Sequence, residues 1–200
     1  GCGDGLFFPV LQRYTNGRPR GFEPDASLLN PAGPWFDCIT TGALVDDPSE
    51  RARYGLIVAL DVLEHLEHPQ PALAILRGRM RPGGWFIATV PAFDGLWTAH
   101  DEVNHHYRRY RLAEIETLVR DSGLEIVEAR YFFVWVALVK WLVARKERLI
   151  RPVAKSPGVP PAPLNAAAFA LTRLEQRIVG DRHPRFGRSA IVVARAQGVP

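Results

Sequence analysis

The chain has 200 residues, 47% hydrophobic and 23% charged, which suits one ordinary domain with a single core and excludes global disorder. Its net charge of +4, carried by 22 Arg against 3 Lys, lacks the one-sided concentration of a nucleic-acid binder, so no specific nucleic acid is expected. Two cysteines, Cys2 and Cys38, cannot frame a disulfide scaffold or a cysteine-based zinc site, and they suit a reducing, cytoplasmic setting.

The chain opens on Gly1-Cys2-Gly3-Asp4-Gly5 without an initiator Met and so reads as cut from a longer one. Leu6 to Tyr14 has apolar residues at helical spacing and is expected to leave the glycine turn as a helix. Strands are expected at Arg20 to Glu23, Phe36 to Thr41 and Tyr54 to Leu60, the last almost wholly apolar, as in a central parallel strand covered on both faces. Pro71 to Met80 reads as a helix stopped by Arg81-Pro82-Gly83-Gly84, which turns into a strand at Trp85 to Val90. Pro91 to Tyr110 is expected as a long loop rich in functional side chains. A helix over Leu112 to Ser122 and a strand over Leu124 to Arg130 complete the alternation that defines an α/β doubly wound, Rossmann-like sheet. Tyr131 to Ala144 is then apolar except for Lys140. It is too short to span a bilayer, which takes about 20 residues, leaving a buried core helix as the default and an interfacial or lid role as the alternative. A basic run (Arg145, Lys146, Arg148, Arg151), a Pro-rich linker from Pro152 to Pro163, a helix from about Leu164 to Val179 and a final strand, Ser189 to Arg195, follow. The organisation expected is a core over 1–130, a helical insertion or lid over 131–180, and a last strand over 181–200 returning to the sheet.

Glycines at 1, 3 and 5 let backbone approach a ligand that a Cβ would exclude, and Glu23 at a strand end can accept both hydrogen bonds of a ribose diol. Leu6 stands where the dinucleotide fingerprint needs glycine, which counts against a rival NAD(P)-dependent oxidoreductase or epimerase. Gly-Cys-Gly-Asp-Gly, then Gly21-Phe22-Glu23-Pro24-Asp25, then Leu60-Asp61-Val62-Leu63-Glu64-His65-Leu66, then Leu76 to Arg81 into Pro82-Gly83-Gly84 resemble the ordered motifs of class I S-adenosylmethionine-dependent methyltransferases. The resemblance covers residues 1 to 130. It implies strand order 3-2-1-4-5-7-6 with the first, central strand missing here, and a chain that is unstable alone because strand edges are exposed. It also implies S-adenosylmethionine as cofactor, with Gly1, Gly3 and Gly5 against its methionine and ribose parts, Glu23 on the ribose, Asp61 at the methionine end, and Asp46 standing in near adenine. A non-catalytic cofactor-binding module is the other alternative.

Asp61, Glu64 and His65 are spaced to share one helix face, where they would bind a divalent ion or, equally, form a capping box between Asp61 and Glu64. With His106, the set resembles the metal centre of small-RNA 2′-O-methyltransferases and ubiquinone-pathway O-methyltransferases. His106, His100 and His105 are the candidate general bases, and Trp97 and Tyr107 the candidate lining of the reacting methyl. Arg108, Arg109 and Arg111 are candidates for an anionic acceptor. The apolar insertion points to a small or lipid-linked acceptor and to peripheral membrane contact through 131–151, and the methyl is expected to go to oxygen.

Overall fold

Residues 1–150, 161–179 and 182–197 are described by the structure, a computed structural model, and they fall into two units, Gly1–Glu50 and Arg51–Pro200. The Pro-rich linker up to residue 160, and Arg151 of the basic run, lie outside the described residues.

In the first unit the glycine turn runs into a short helix, α1 (Phe8–Gln12), narrower than the apolar spacing suggests, with Pro9 at its first turn, where a missing N–H costs nothing. Phe8 is buried and meets Trp35 edge-on at 5.6 Å. Strands β1 (Gly21–Glu23) and β2 (Ile39–Thr41) pair in parallel; Phe36–Cys38, expected as strand, is instead a 3₁₀ turn entering β2.

The second unit holds a four-stranded sheet in the order β3 (Tyr54–Leu60), β4 (Met80–Pro91), β6 (Ser189–Ala196), β5 (Leu124–Phe132). β3 pairs with β4 in parallel, and β6 lies antiparallel between β4 and β5. This is the 4-5-7-6 half of the expected order. β3 has one strand neighbour in this sheet and stands at its edge, as expected of a strand left with an exposed edge, while the expectation of cover on both faces is corrected: of its apolar run only Ala59 is buried. Buried centres fall instead on β4 and β6, where Phe86, Ala88 and Val90 alternate inward beside Ala190, Val192 and Ala194.

Helix α2 (Pro69–Arg79) begins two residues earlier than expected because Pro69 and Pro71 fit its first turn. The segment from Pro91 to Tyr110 is more ordered than a loop: a 3₁₀ turn at Asp94–Leu96 precedes α3 (Ala99–Val103), and Ala92 bridges Tyr110. Helix α4 (Leu112–Asp121) buries Ile115 and Val119 against β5. Tyr131 and Phe132 join β5, and the apolar run continues as α5 (Val134–Ile150), followed by α6 (Ala162–Val179). The default of a buried core helix is corrected here. Only Ala137 and Ala144 of α5 are buried, small residues two turns apart that allow close approach on one side, while Leu142 is 60% exposed. No helix among the described residues is long and apolar enough to cross a membrane.

Candidate active site

Within the first unit, the glycine turn and the end of β1 are tied by one carboxylate. Glu23 is buried; its Oε2 accepts from the Gly3 amide at 2.8 Å and its Oε1 from the Asp25 amide at 3.1 Å. Each oxygen keeps a lone pair for a further donor. Gly3 (φ +52°) and Gly5 (φ +81°) occupy the left-handed region that glycine accepts without penalty. A Cβ on Gly5 would lie 2.9 Å from that of Trp35, whereas nothing stands within 4 Å of one on Gly3, so the Gly3 backbone is open to a ligand. Gly1 begins the same turn and is exposed, as is Asp46 beyond β2.

In the second unit the strand ends of β3 and β4, α3 and the start of β6 enclose a cavity of about 200 Å³ whose walls include Asp61, Glu64, His65, His100, His106 and Arg188. Asp61 leaves β3 with φ +51°, an unusual backbone for a non-glycine residue. It is held by Thr89 of β4: the Asp61 amide donates to Thr89 O at 2.9 Å, and Thr89 Oγ1 donates to Asp61 Oδ1 at 3.1 Å.

The capping-box alternative for Asp61 and Glu64 is overturned. Leu63–His65 is a 3₁₀ turn capped by Val62 without a side-chain bond, and the Glu64 carboxylate is buried with no hydrogen-bond partner on either oxygen. Burial, reinforced by the nearby charge of Asp61, pushes the Glu64 carboxyl up to about 8. The His65 and His106 rings meet edge-on at 4.7 Å, and one ligand atom from each of Glu64, His65 and His106 lies within 4.8 Å of the others. Asp61 lines the cavity outside that trio.

His106 is oriented by a residue that sequence reasoning passed over. Asp101, fully buried on α3, reaches back to the Thr98 amide at 2.9 Å and to Thr98 Oγ1 at 3.0 Å, closing the first turn of the helix. Its other oxygen takes His106 Nδ1 at 3.0 Å and Arg109 Nε at 2.9 Å and Nη2 at 2.7 Å, while Lys140 Nζ of α5 approaches Oδ2 at 3.3 Å. Burial opposes ionisation of Asp101, but Arg109 and Lys140 outweigh it and hold the carboxyl well below the usual carboxylate range. An ionised carboxylate only accepts, so His106 Nδ1 carries the proton and Nε2 is left as the basic nitrogen. Burial lowers the His106 pKa, with Asp101 working against it, so the ring is neutral near pH 7.

His100 shares the cavity; burial, then the charge of Lys140, lowers its pKa, and its carbonyl takes the Asn104 amide at 2.6 Å. His105 is exposed at φ +54° and stands outside the cavity walls, as do Trp97 and Tyr107. Arg109, expected to meet an anionic acceptor, is buried and committed to Asp101 and to Ala92 O at 2.9 Å. Arg108 donates to Glu67 O, and Arg111 stands at the start of α4. The signals for the hub were present: Thr98-x-x-Asp101 precedes an apolar position, and Lys140 is the one charge in an apolar run.

A parallel pair with glycine turn and strand-end carboxylate, and a 4-5-7-6 sheet with its antiparallel strand between two others, define the Rossmann-like fold of class I methyltransferases. Residues 1–129 match the family described as Methyltransferase domain, and the chain belongs to that family; its activity is S-adenosylmethionine-dependent methyl transfer. No curated protein matches the chain in sequence. Solved structures share the fold. A Haloferax volcanii chain in complex with the Trm112 methyltransferase activator is 20% identical at TM-score 0.60, covering 100% of this chain and 81% of that one. Phosphoethanolamine N-methyltransferase 2 of Haemonchus contortus, solved with S-adenosyl-L-methionine, is 12% identical at TM-score 0.60, covering 98% and 47%. A SAM-dependent methyltransferase from Archaeoglobus fulgidus is 11% identical at TM-score 0.55, covering 98% and 83%.

Proposed function

We propose that the chain transfers a methyl group to an oxygen of a small or lipid-linked acceptor in the cytoplasm, with His106 as general base. The observation that carries this reading is the Asp101–His106 pair: Nδ1 is fixed as a donor at 3.0 Å, and Nε2 belongs to a neutral ring beside a cavity. S-adenosylmethionine would supply a sulfonium methyl whose bond to sulfur breaks as the bond to the acceptor oxygen forms, the neutral thioether being the leaving group. The acceptor must lose a proton as it attacks, and a neutral imidazole of fixed tautomer is suited to take it. Asp101 then stabilises the imidazolium as it forms, as a buried carboxylate does behind a histidine base. His100 and Arg188 shape the same wall and would orient the acceptor; His105, exposed, would contact it only from outside.

The open backbone at Gly3 and the spare lone pairs of Glu23 fit a ribose-bearing cofactor, with Gly1 and Gly5 completing the turn and Asp61 assigned to its methionine end. In this reading residues 1–130 hold the cofactor, 131–180 cover the acceptor side, and 181–200 return the last strand. Replacing His106 by Ala should lower turnover by about 10²–10⁴-fold while S-adenosylmethionine affinity is retained. Full activity in that variant, measured by methyl transfer to candidate acceptors, would remove His106 from the site.

A second reading is favoured by one observation, the buried Glu64 carboxylate with no partner. Glu64, His65 and His106 would hold a divalent cation, with Asp61 at its margin, and the cation would acidify an acceptor hydroxyl. Calorimetry with Mg²⁺, Mn²⁺ and Zn²⁺ on chelator-treated protein distinguishes the two readings, since only the second expects binding that Glu64→Gln removes.

A further inference from the structure

We propose that α5 and α6 form a docking surface for anionic lipid bilayers. On α5, Leu138, Trp141, Leu142, Arg145 and Leu149 recur at helical spacing and make one stripe. That stripe lies about 100° around the helix from the narrow side on which Ala137 and Ala144 are buried, so the helix leaves its large apolar residues outside the contact, Leu142 at 60% and Leu149 at 83% exposure. An ordinary surface helix does the reverse. α6 repeats the pattern: Leu164, Leu171, Leu174 and Ile178 share one side, and all are exposed. Exposed apolar area of this extent marks an interaction site.

Charge selects the occupant. Every exposed charged side chain described on the two helices is basic: Arg145, Lys146 and Arg148 on α5, Arg173 and Arg177 on α6. Their two acids are turned to backbone amides. Glu147 accepts from the Ala99 amide at 2.8 Å, and Glu175 accepts from the amides of Val134 and Trp135 at 2.9 and 2.8 Å. Lys140 stands on the inward side of α5 beside Ala137 and Ala144 and reaches Asp101. Lys146 and Arg148 flank the apolar stripe on its two sides, and the Arg145 guanidinium lies over the Trp141 ring at 5.4 Å. Apolar residues edged by cations with an aromatic among them are what a helix lying in an anionic headgroup layer requires. A second copy of this chain would bring Arg145, Lys146 and Arg148 of each α5 together with no exposed acid among the described residues of either helix to meet them.

This surface stands apart from the His106 reading and from the nature of the acceptor. The full chain should sediment with vesicles of phosphatidylcholine and phosphatidylserine, and not with phosphatidylcholine alone. Leu142→Glu with Leu149→Glu should abolish sedimentation while the far-ultraviolet circular dichroism spectrum and S-adenosylmethionine binding are unchanged. Arg145→Gln with Lys146→Gln should weaken binding roughly fivefold per cation removed. Failure of the unmodified chain to bind phosphatidylserine vesicles overturns the proposal, as does binding that survives the double glutamate variant. A stable dimer in solution that the glutamates dissociate would assign the face to a second copy instead.

Discussion

Replacing Asp101 by Asn changes one atom of a fully buried side chain, and the geometry fixes the consequence. Oδ1 accepts from His106 and from two nitrogens of Arg109, while Oδ2 accepts from the Thr98 amide, Thr98 Oγ1 and Lys140. An amide has one oxygen, so whichever way it is turned its NH₂ faces donors, and Arg109 and Lys140 lose their counter-charge. Stripping one partner from a buried charge pair costs about 3–5 kcal/mol, a large part of the roughly 5–15 kcal/mol that holds a domain folded. With a urea slope of about 2 kcal/mol per molar, the midpoint should fall by about 2 M with the slope unchanged. Lys140→Met is the matched control. Burial, then the charge of Arg109, lowers the Lys140 amine to about 8, and its replacement leaves Asp101 with Arg109 as counter-charge, so Lys140→Met should cost less than Asp101→Asn. An Asp101→Asn midpoint within about 0.5 M of the unmodified chain would refute the account of the hub.

Two further outcomes follow from single side chains. Glu64 ionises in the unfolded chain near 4.5 but in the folded one at about 8, so the stability it contributes is present below pH 4.5 and is lost as pH rises through 8, by up to about 5 kcal/mol. In chelator-treated protein, thermal melts of Glu64→Gln should therefore show the larger advantage over the unmodified chain at pH 8 than at pH 4.5, and parallel pH profiles would dismiss the buried, unpartnered carboxyl. Glu23→Ala removes the acceptor of the Gly3 and Asp25 amides, and calorimetry should find S-adenosylmethionine affinity down at least about tenfold with β1 and β2 still formed; unchanged affinity would withdraw Glu23 from the cofactor site.

Local pattern carried most of the fold. Tyr54–Leu60 was legible to the residue because seven almost wholly apolar residues between turn signals are too few for a buried helix, and Gly123 ended α4 where expected. The exposed edge of β3 followed from the order of the motifs and not from its composition, since an apolar run reads as covered on both faces and only Ala59 of it is buried. α5 failed differently: the run after Tyr131 was read as buried because it is apolar all round, and only the packing shows that one narrow side is used. At the site, Glu64, His65 and His106 were picked out by residue type, and the structure brings them together. Asp101 stood in the loop singled out for its functional side chains but received no role, because a capping acid and a hub for three cationic or imidazole groups have the same sequence signature. The capping pattern was instead assigned to Asp61 and Glu64, which turn away from it.

Lys140 reaches from α5 to the carboxylate that also fixes the His106 tautomer. The helix and the imidazole are thus interlocked through Asp101, with a 3.3 Å contact on one side and a 3.0 Å contact on the other. Drawing α5 away from α3 would take the Lys140 charge from Asp101 while Thr98 and Arg109 still held the carboxylate in place beside His106. The outward-facing helix is thereby wired to the cavity wall through one shared carboxylate: α5 sets the charge around Asp101, and α3 and Arg109 set its position.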